Sequence, residues 1–140
     1  MAISVLTNAM VLVNGVDLSD HVSKVTLTDS RTSVDITAMG ATSLAVTKGL
    51  GDAKVSLDMF QDFAAAKVHA TLQPLIGSTT PVAIEVRPVN AARSATNPAF
   101  LMSGGLLMTY PMLDGKVGDA NAATYEFVNG SQSGVSYPTS

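Results

Sequence analysis

Apolar and polar residues alternate strictly in several short stretches of the chain, the period expected of a strand with one buried and one wet face. Met10 to Val13 and Val16 to Leu18 flank Asn14-Gly15. Both turn residues tolerate positive φ, so a two-residue hairpin is predicted there. Val22 to Thr28 reads as a strand with Val25 and Leu27 on one face, and Val34 to Ala38 as another with Asp35 and Thr37 opposite Val34 and Ile36. Ala53 to Met59 restores the alternation, with Lys54, Ser56 and Asp58 on its second face. The period then changes: Phe60, Phe63, Ala64, Val68 and Leu72 recur at steps of three and four, which predicts an amphipathic helix. Asp62 falls in its first turn, and Pro74 ends or kinks it before Leu75, Ile76 and Gly77.

After the helix, Pro81 to Pro88 reads as a strand with Val82, Ile84 and Val86 inward and Glu85 and Arg87 outward. Asn90 to Pro98 has turn chemistry, and Ala99 to Pro111 holds two strand-like runs around Ser103-Gly104-Gly105, where paired glycines suggest a bulge or a close backbone approach. Asp114-Gly115 marks a turn, Thr124 to Val128 a closing strand with Tyr125 and Phe127 on one face, and residues 129–140 a flexible Gly/Ser-rich tail. Residues 29–51 remain. Their apolar Leu44, Val46 and Leu50 alternate as a strand would, in a segment too long for an ordinary connection, which predicts an extended hairpin arm reaching beyond the domain. The reading is a single domain over 1–140, mainly β, with one flanking helix.

Composition supports that class. Val and Thr are abundant, and β-branched side chains sit better on pleated strands than in helices. Cys is absent, which excludes disulfides, thiolate chemistry and Cys-based zinc sites. The first sixteen residues lack Lys and Arg and are broken by polar residues, unlike a signal peptide, and no stretch approaches the ~18 to 20 apolar residues of a membrane span. A soluble protein made in the cytoplasm is expected. Only 14% of residues are charged, against about 25% in an average soluble domain, and the net charge is −3. That balance disfavours a protein that grips nucleic acid by its phosphates.

Candidate chemistry is sparse. His21 and His69 have no partners at metal-ligand spacing, and no Ser lies in a Gly-x-Ser-x-Gly elbow. Gly49-Leu50-Gly51 lacks the preceding strand and following helix of a phosphate loop and reads as a turn. Asp58 and Asp62 belong to different predicted elements, and Asn129-Gly130-Ser131 reads as a turn. No metal site, cofactor or catalytic constellation is expected. A sparsely charged β domain with a long arm instead suggests that much of its exterior becomes an interface.

Several phrases, in order, resemble the major tail (tail tube) proteins of long-tailed bacteriophages of the siphophage type, particularly those infecting actinobacteria. They are VLVNGVDLSDHVSKVTLT at 11–28, DITAMGA at 35–41, KGLGDAKVSLDMFQDF at 48–63, VHATLQPLIG at 68–77, IEVRP at 84–88 and TNPAF at 96–100. The resemblance implies a β-sandwich or β-barrel tail-tube fold, assembled as six-subunit rings that stack into a tube conducting DNA into the host. It implies that the 29–51 arm contacts neighbouring subunits or the adjacent ring. Arg31, Val34, Ile36 and Met39 would act from its first half, and Leu44, Val46, Lys48 and Leu50 from its second. Implied partners are further copies of the chain, a tape-measure protein, a tail terminator and baseplate or distal tail proteins. Double-stranded DNA would be met only in transit and no membrane is involved. The implied location is the virion tail, assembled in the host bacterial cytoplasm.

A lumen that lets DNA slide should lack basic patches, and six copies of a chain of charge −3 carry −18. Alternation offers Asp35, Asp58 and Glu85 as lumen-facing candidates, with Lys54 and Arg87 as pairing partners. The tube exterior is the rival place for them. A tail terminator or a head-tail or baseplate adaptor ring of the same fold is the alternative function. A carbohydrate-binding sandwich is disfavoured, because Trp is absent and aromatics make up 5%.

Overall fold

The computed structural model describes residue 3 and residues 5–140; Met1, Ala2 and Ser4, at the start of the stretch tested for a signal peptide, lie outside the described residues. The architecture is mainly β. Eight strands run in the chain as β1 (Met10–Val13), β2 (Val16–Asp17), β3 (Val22–Asp35), β4 (Val46–Phe60), β5 (Val82–Arg87), β6 (Phe100–Thr109), β7 (Ala122–Asn129) and β8 (Val135–Ser136), with one helix, α1 (Val68–Ile76), between β4 and β5. All pairings are antiparallel, and the sheet order is β2-β1-β5-β6-β7-β4-β3, with β8 on β6. The sheet curls around its core. Val11 and Val13 of β1, near one end of that order, and Val55, Leu57 and Met59 of β4, near the other, belong to one buried cluster with Ile84, Met102, Tyr125 and Phe127.

Local chemistry explains the elements. Asn14 and Gly15 take φ of 50° and 80°, the left-handed pair that lets Val13 and Val16 face each other across the first hairpin. The helix begins later than its apolar spacing predicts. Phe60 is still in β4, paired with Ala122, and Ala66 has φ of 60°, which no helix accommodates. Asp62 instead closes a turn: its Oδ1 accepts the Ala64 N–H at 2.9 Å, and its carbonyl accepts the His69 N–H at 3.0 Å. Val68 and Leu72 are the helix residues that are fully buried. They close the open face of the curled sheet.

The arm is longer and more regular than the pattern suggests. Val34 to Asp35 is the end of β3, not a separate strand, and β3 and β4 form one hairpin whose ladder runs from Val22↔Met59 to Asp35↔Val46. Gly49 and Gly51 are not in a turn but in β4, beside a register shift opposite Thr32. A Cβ at Gly49 would lie 2.5 Å from Thr32 Oγ1, and one at Gly51 2.6 Å from Arg31 Nη1, so the side chains of Thr32 and Arg31 lie over the two glycines at the bulge.

Two further expectations change. Ala99 to Pro111 holds one strand, β6, in which the extra residue of a bulge falls at Ser103-Gly104. The C-terminal segment is not a free tail: Val135 and Ser136 pair with Met102 and Leu101, Pro138 O accepts the Ala99 N–H at 2.9 Å, and the Tyr137 hydroxyl bonds Asp29.

Close approach at the glycine pair is testable. A Cβ on Gly104 would sit 2.2 Å from Ser131 Cβ and 3.0 Å from its backbone nitrogen, whereas one on Gly77 meets nothing within 4 Å. Gly104→Ala is therefore expected to destabilise the fold by about 1 to 3 kcal/mol, and Gly77→Ala to stay within about 0.5 kcal/mol of wild type, as read by urea denaturation.

Candidate assembly surface

Beyond Ala53, β4 loses its second neighbour, because β7 ends its pairing at Lys54↔Val128. The hairpin continues alone from there. Its tip holds itself together: Ile36 N–H donates to Ala45 O at 3.0 Å, Ala45 N–H to Thr37 Oγ1 at 2.7 Å, and Thr37 N–H to Asp35 Oδ1 at 2.9 Å, with Gly40 at φ of 87° in the turn. Residues 36–45 carry no charged side chain. Ile36, Met39 and Leu44 are exposed there, Leu44 at 87%, and behind them Val34, Val46 and Leu50 are exposed too. Strand alternation places Val34 and Val46 on opposite faces, so the arm is apolar on both sides.

Charged groups at the arm's base are engaged. Arg31 Nη1 donates to Asp29 Oδ1 at 2.5 Å, and the Tyr137 hydroxyl also bonds Asp29. Those bonds, the tyrosine's first, hold the Asp29 carboxyl below the usual carboxylate range, and the same bond raises the Tyr137 phenol. Asp35 is lowered by the Thr37 N–H and hydroxyl that it accepts at the tip. Lys48 is exposed on the arm, with no ion-pair partner among the described residues.

The five lumen candidates separate. Asp58 and Lys54 share one face of β4, and the register adds neighbours on both sides: Lys24 and Thr124 flank Asp58, Thr26 and Glu126 flank Ser56, and Thr28 and Val128 flank Lys54. The Thr124 hydroxyl donates to Asp58 Oδ1 at 2.7 Å. This is a three-strand face whose Lys24 and Lys54 are balanced by Asp58 and Glu126. Asp35 lies on the arm, on the other parity of β3, and is occupied in the tip.

Glu85 does not face outward into solvent. It is 6% exposed, because residues 88–97 fold over that side of β5. Arg87 Nε donates to its Oε2 at 2.6 Å, Arg93 Nη2 bonds its Oε1, and Arg87 Nη1 reaches Ala91 O at 2.9 Å. Asn97, also buried, accepts the Val89 N–H at 3.0 Å and donates to Val89 O and Ala92 O, both at 3.1 Å, so the loop is pinned over the carboxylate. Alternation fails at Glu85 because the loop that follows β5 turns back over the strand and supplies a second covering layer. Arg87 pairs with Glu85 as expected, but inside this cluster.

A second apolar surface had no signal in the alternation. Met108 is the extra residue of a bulge in β6, and Met112, Leu113 and Val117 follow in the 110–121 loop, all exposed. Short apolar runs broken by Pro111, Asp114 and Gly115 have no period to read. His21 bridges Asp20 and Asp62, with Nδ1 2.7 Å from one carboxylate and Nε2 2.8 Å from the other. Asp62 is lowered first by the Ala64 N–H and then by His21. Among the described residues no three His, Asp or Glu are grouped to hold a metal ion, and no helix is long and apolar enough to cross a membrane.

No family model and no curated protein matches the chain. Among solved structures, a chain of the virion of a native gene transfer agent particle superposes with a TM-score of 0.73 at 7% identity, over 94% of this chain and 95% of that one. A chain of the tail of an empty gene transfer agent particle, a structure with C6 symmetry obtained by helical refinement, gives a TM-score of 0.60 at 11% identity, over 84% and 82%. At these identities the likeness is one of fold. The chain has the mainly β fold found in those phage-like virion and tail particles.

Two measurements follow. Glu85→Ala leaves two guanidiniums beside a buried site without their counter-ion and is expected to cost about 3 kcal/mol in denaturant unfolding. Asp62 and Asp29 have depressed folded-state pKa values, so their contribution to stability is full above the ordinary carboxylate range and is lost as pH falls through the lowered values. Asp62→Asn should therefore lower the Tm near about pH 6, and the gap to wild type should close below about pH 3.

Proposed function

We propose that this chain is the structural subunit of a phage-type tail tube, in which six copies close into a ring and rings stack around a lumen that conducts double-stranded DNA. The arm carries the proposal: its uncharged, apolar tip stands off the domain with apolar groups on both faces, a surface that a monomer gains nothing by exposing. The fold likeness to a chain in a C6-symmetric tail supports six as the ring number. The role is structural rather than enzymatic, and the site of action is the virion tail.

The β3-β4-β7 face is the proposed lumen lining. DNA adheres where cations outnumber anions, because each phosphate neutralised releases counter-ions and strengthens binding. On this face Lys24 and Lys54 meet Asp58 and Glu126, and hydroxyls and Val128 fill the remaining positions, so a passing duplex finds no cationic surplus. Ring closure also supplies partners for the outer edge of β3, which has no neighbour among the described residues.

Negative-stain microscopy and light scattering of the purified protein test this reading. Hollow tubes or stacked six-fold rings are expected, and Ile36→Asp should abolish stacking while preserving the β-type circular dichroism. A monomer that persists at high concentration would overturn the reading, and uniform single rings that never stack would assign a terminator or adaptor role instead.

A further inference from the structure

We propose that the arm tip of one copy seats on the 108–117 segment of the next copy, so that subunits join head to tail along the direction of β4. This deepens the tube reading and rests on it.

Register places the two surfaces at opposite poles. β4 begins at Val46, beside the arm tip, and ends at Phe60; its 15 residues span about 45 to 50 Å. β6 runs parallel to β4 across β7, so the loop that leaves β6 lies at the Phe60 pole. Gln61 fixes it there: its N–H donates to Asn121 O at 2.8 Å, and its Nε2 to Met112 O at 2.9 Å and Tyr110 Oη at 3.1 Å. Asn121 Oδ1 in turn accepts the Asp114 N–H at 2.9 Å. On this braced platform Met108, Met112, Leu113 and Val117 are exposed, and Phe63 stands nearby with its ring 5.1 Å from that of His69, itself bonded to Tyr110 at 2.5 Å.

A second copy is the occupant that fits. Two different apolar patches at opposite ends of one chain cannot satisfy each other within it, and pairing them between copies gives a heterologous contact that repeats, as a filament requires. Flexible, polarizable methionines suit a socket that must accept Leu44, Ile36 and Met39. Charge does not oppose the pairing: beyond Arg31 the arm carries Lys48 and Asp35, which cancel, and the socket carries Asp114, with Asp119 paired to Lys116 at 3.8 Å. One hairpin tip buries little area, but six identical contacts engage together at each ring junction, and linked contacts reinforce one another.

The absence of cysteine from the chain makes the contact directly measurable. Leu44→Cys and Leu113→Cys are combined in one chain, where the two sites lie far beyond the reach of an internal disulfide. Oxidised tubes are expected to give a ladder of covalent multimers on a non-reducing gel, with at least a tenfold loss of monomer. Leu44→Cys paired with Ala83→Cys, an exposed position on β5, should give none. Tubes whose Leu44/Leu113 chains stay monomeric, or whose Leu44/Ala83 chains cross-link equally, would overturn the proposal and leave the tube reading standing. Leu113→Asp supplies a second measurement: rings without stacking are expected, and tubes of wild-type length would refute the socket. Failure of the wild-type protein to form rings or tubes would instead count against the tube reading itself.

Discussion

Strand β4 is paired on both sides from Lys54 to Met59 and on one side from Val46 to Ala53, and this change in the number of its neighbours sets the shape of the molecule. Where β7 flanks it, alternate residues of β4 bury against α1 and the opposite wall of the curled sheet. Where β7 stops, the residues of β4 from Val46 to Asp52 are exposed or half-buried, yet the β3-β4 ladder continues. Hydrogen bonds of backbone and short polar side chains then hold an arm without a core, and an isolated two-stranded ribbon is marginal in water. Its apolar residues can gain the ~1.5 to 3 kcal/mol each that full burial confers only by meeting another surface.

The opposite side of the sheet solves a different problem. Glu85 occupies a position that alternation assigns to solvent, and the 88–97 loop covers it, so a buried anion has to be neutralised locally. Arg87 from the same strand and Arg93 from the loop do so. Arg93 Nη1 also donates to Ser140 O at 3.2 Å, which links this cluster to the C-terminal segment. That segment reaches the arm's base through Tyr137 and Asp29, while Phe100 meets the Tyr137 ring edge-on at 5.8 Å. A chain of polar contacts therefore runs from β5 to the point where the arm departs.

Much of this architecture was legible in the residues. The Asn-Gly hairpin, β5, the Tyr125/Phe127 face of β7 and the protruding arm follow from local period and turn chemistry, which depend on near neighbours. The helix start was misplaced because Phe60 and Phe63 have helical spacing but belong to the end of β4 and to the turn after it. Glu85 was misplaced because the 88–97 loop folds back over it, which no period within β5 records, and the docked C-terminal segment because strand pairing with β6 leaves no mark in a Gly/Ser-rich stretch. Asp58 and Lys54 were grouped correctly on one face, but Lys24 and Glu126 join them only through register. The 108–117 surface lies in a loop, where exposed apolar residues have no periodicity to betray them.

The bulge at Gly49 to Gly51 also works as a joint. Its glycines leave the space that the Thr32 and Arg31 side chains occupy, and a bulge bends its strand where it occurs. The tip lies roughly 17 Å beyond it, taking about five residues at the usual rise per residue. A change of about 10° in bend at the joint therefore carries the tip sideways by about 3 Å, less than one side-chain width. In the proposed assembly this lets adjacent copies meet at slightly different angles without breaking the domain's own ladder, an allowance for bending built into the subunit.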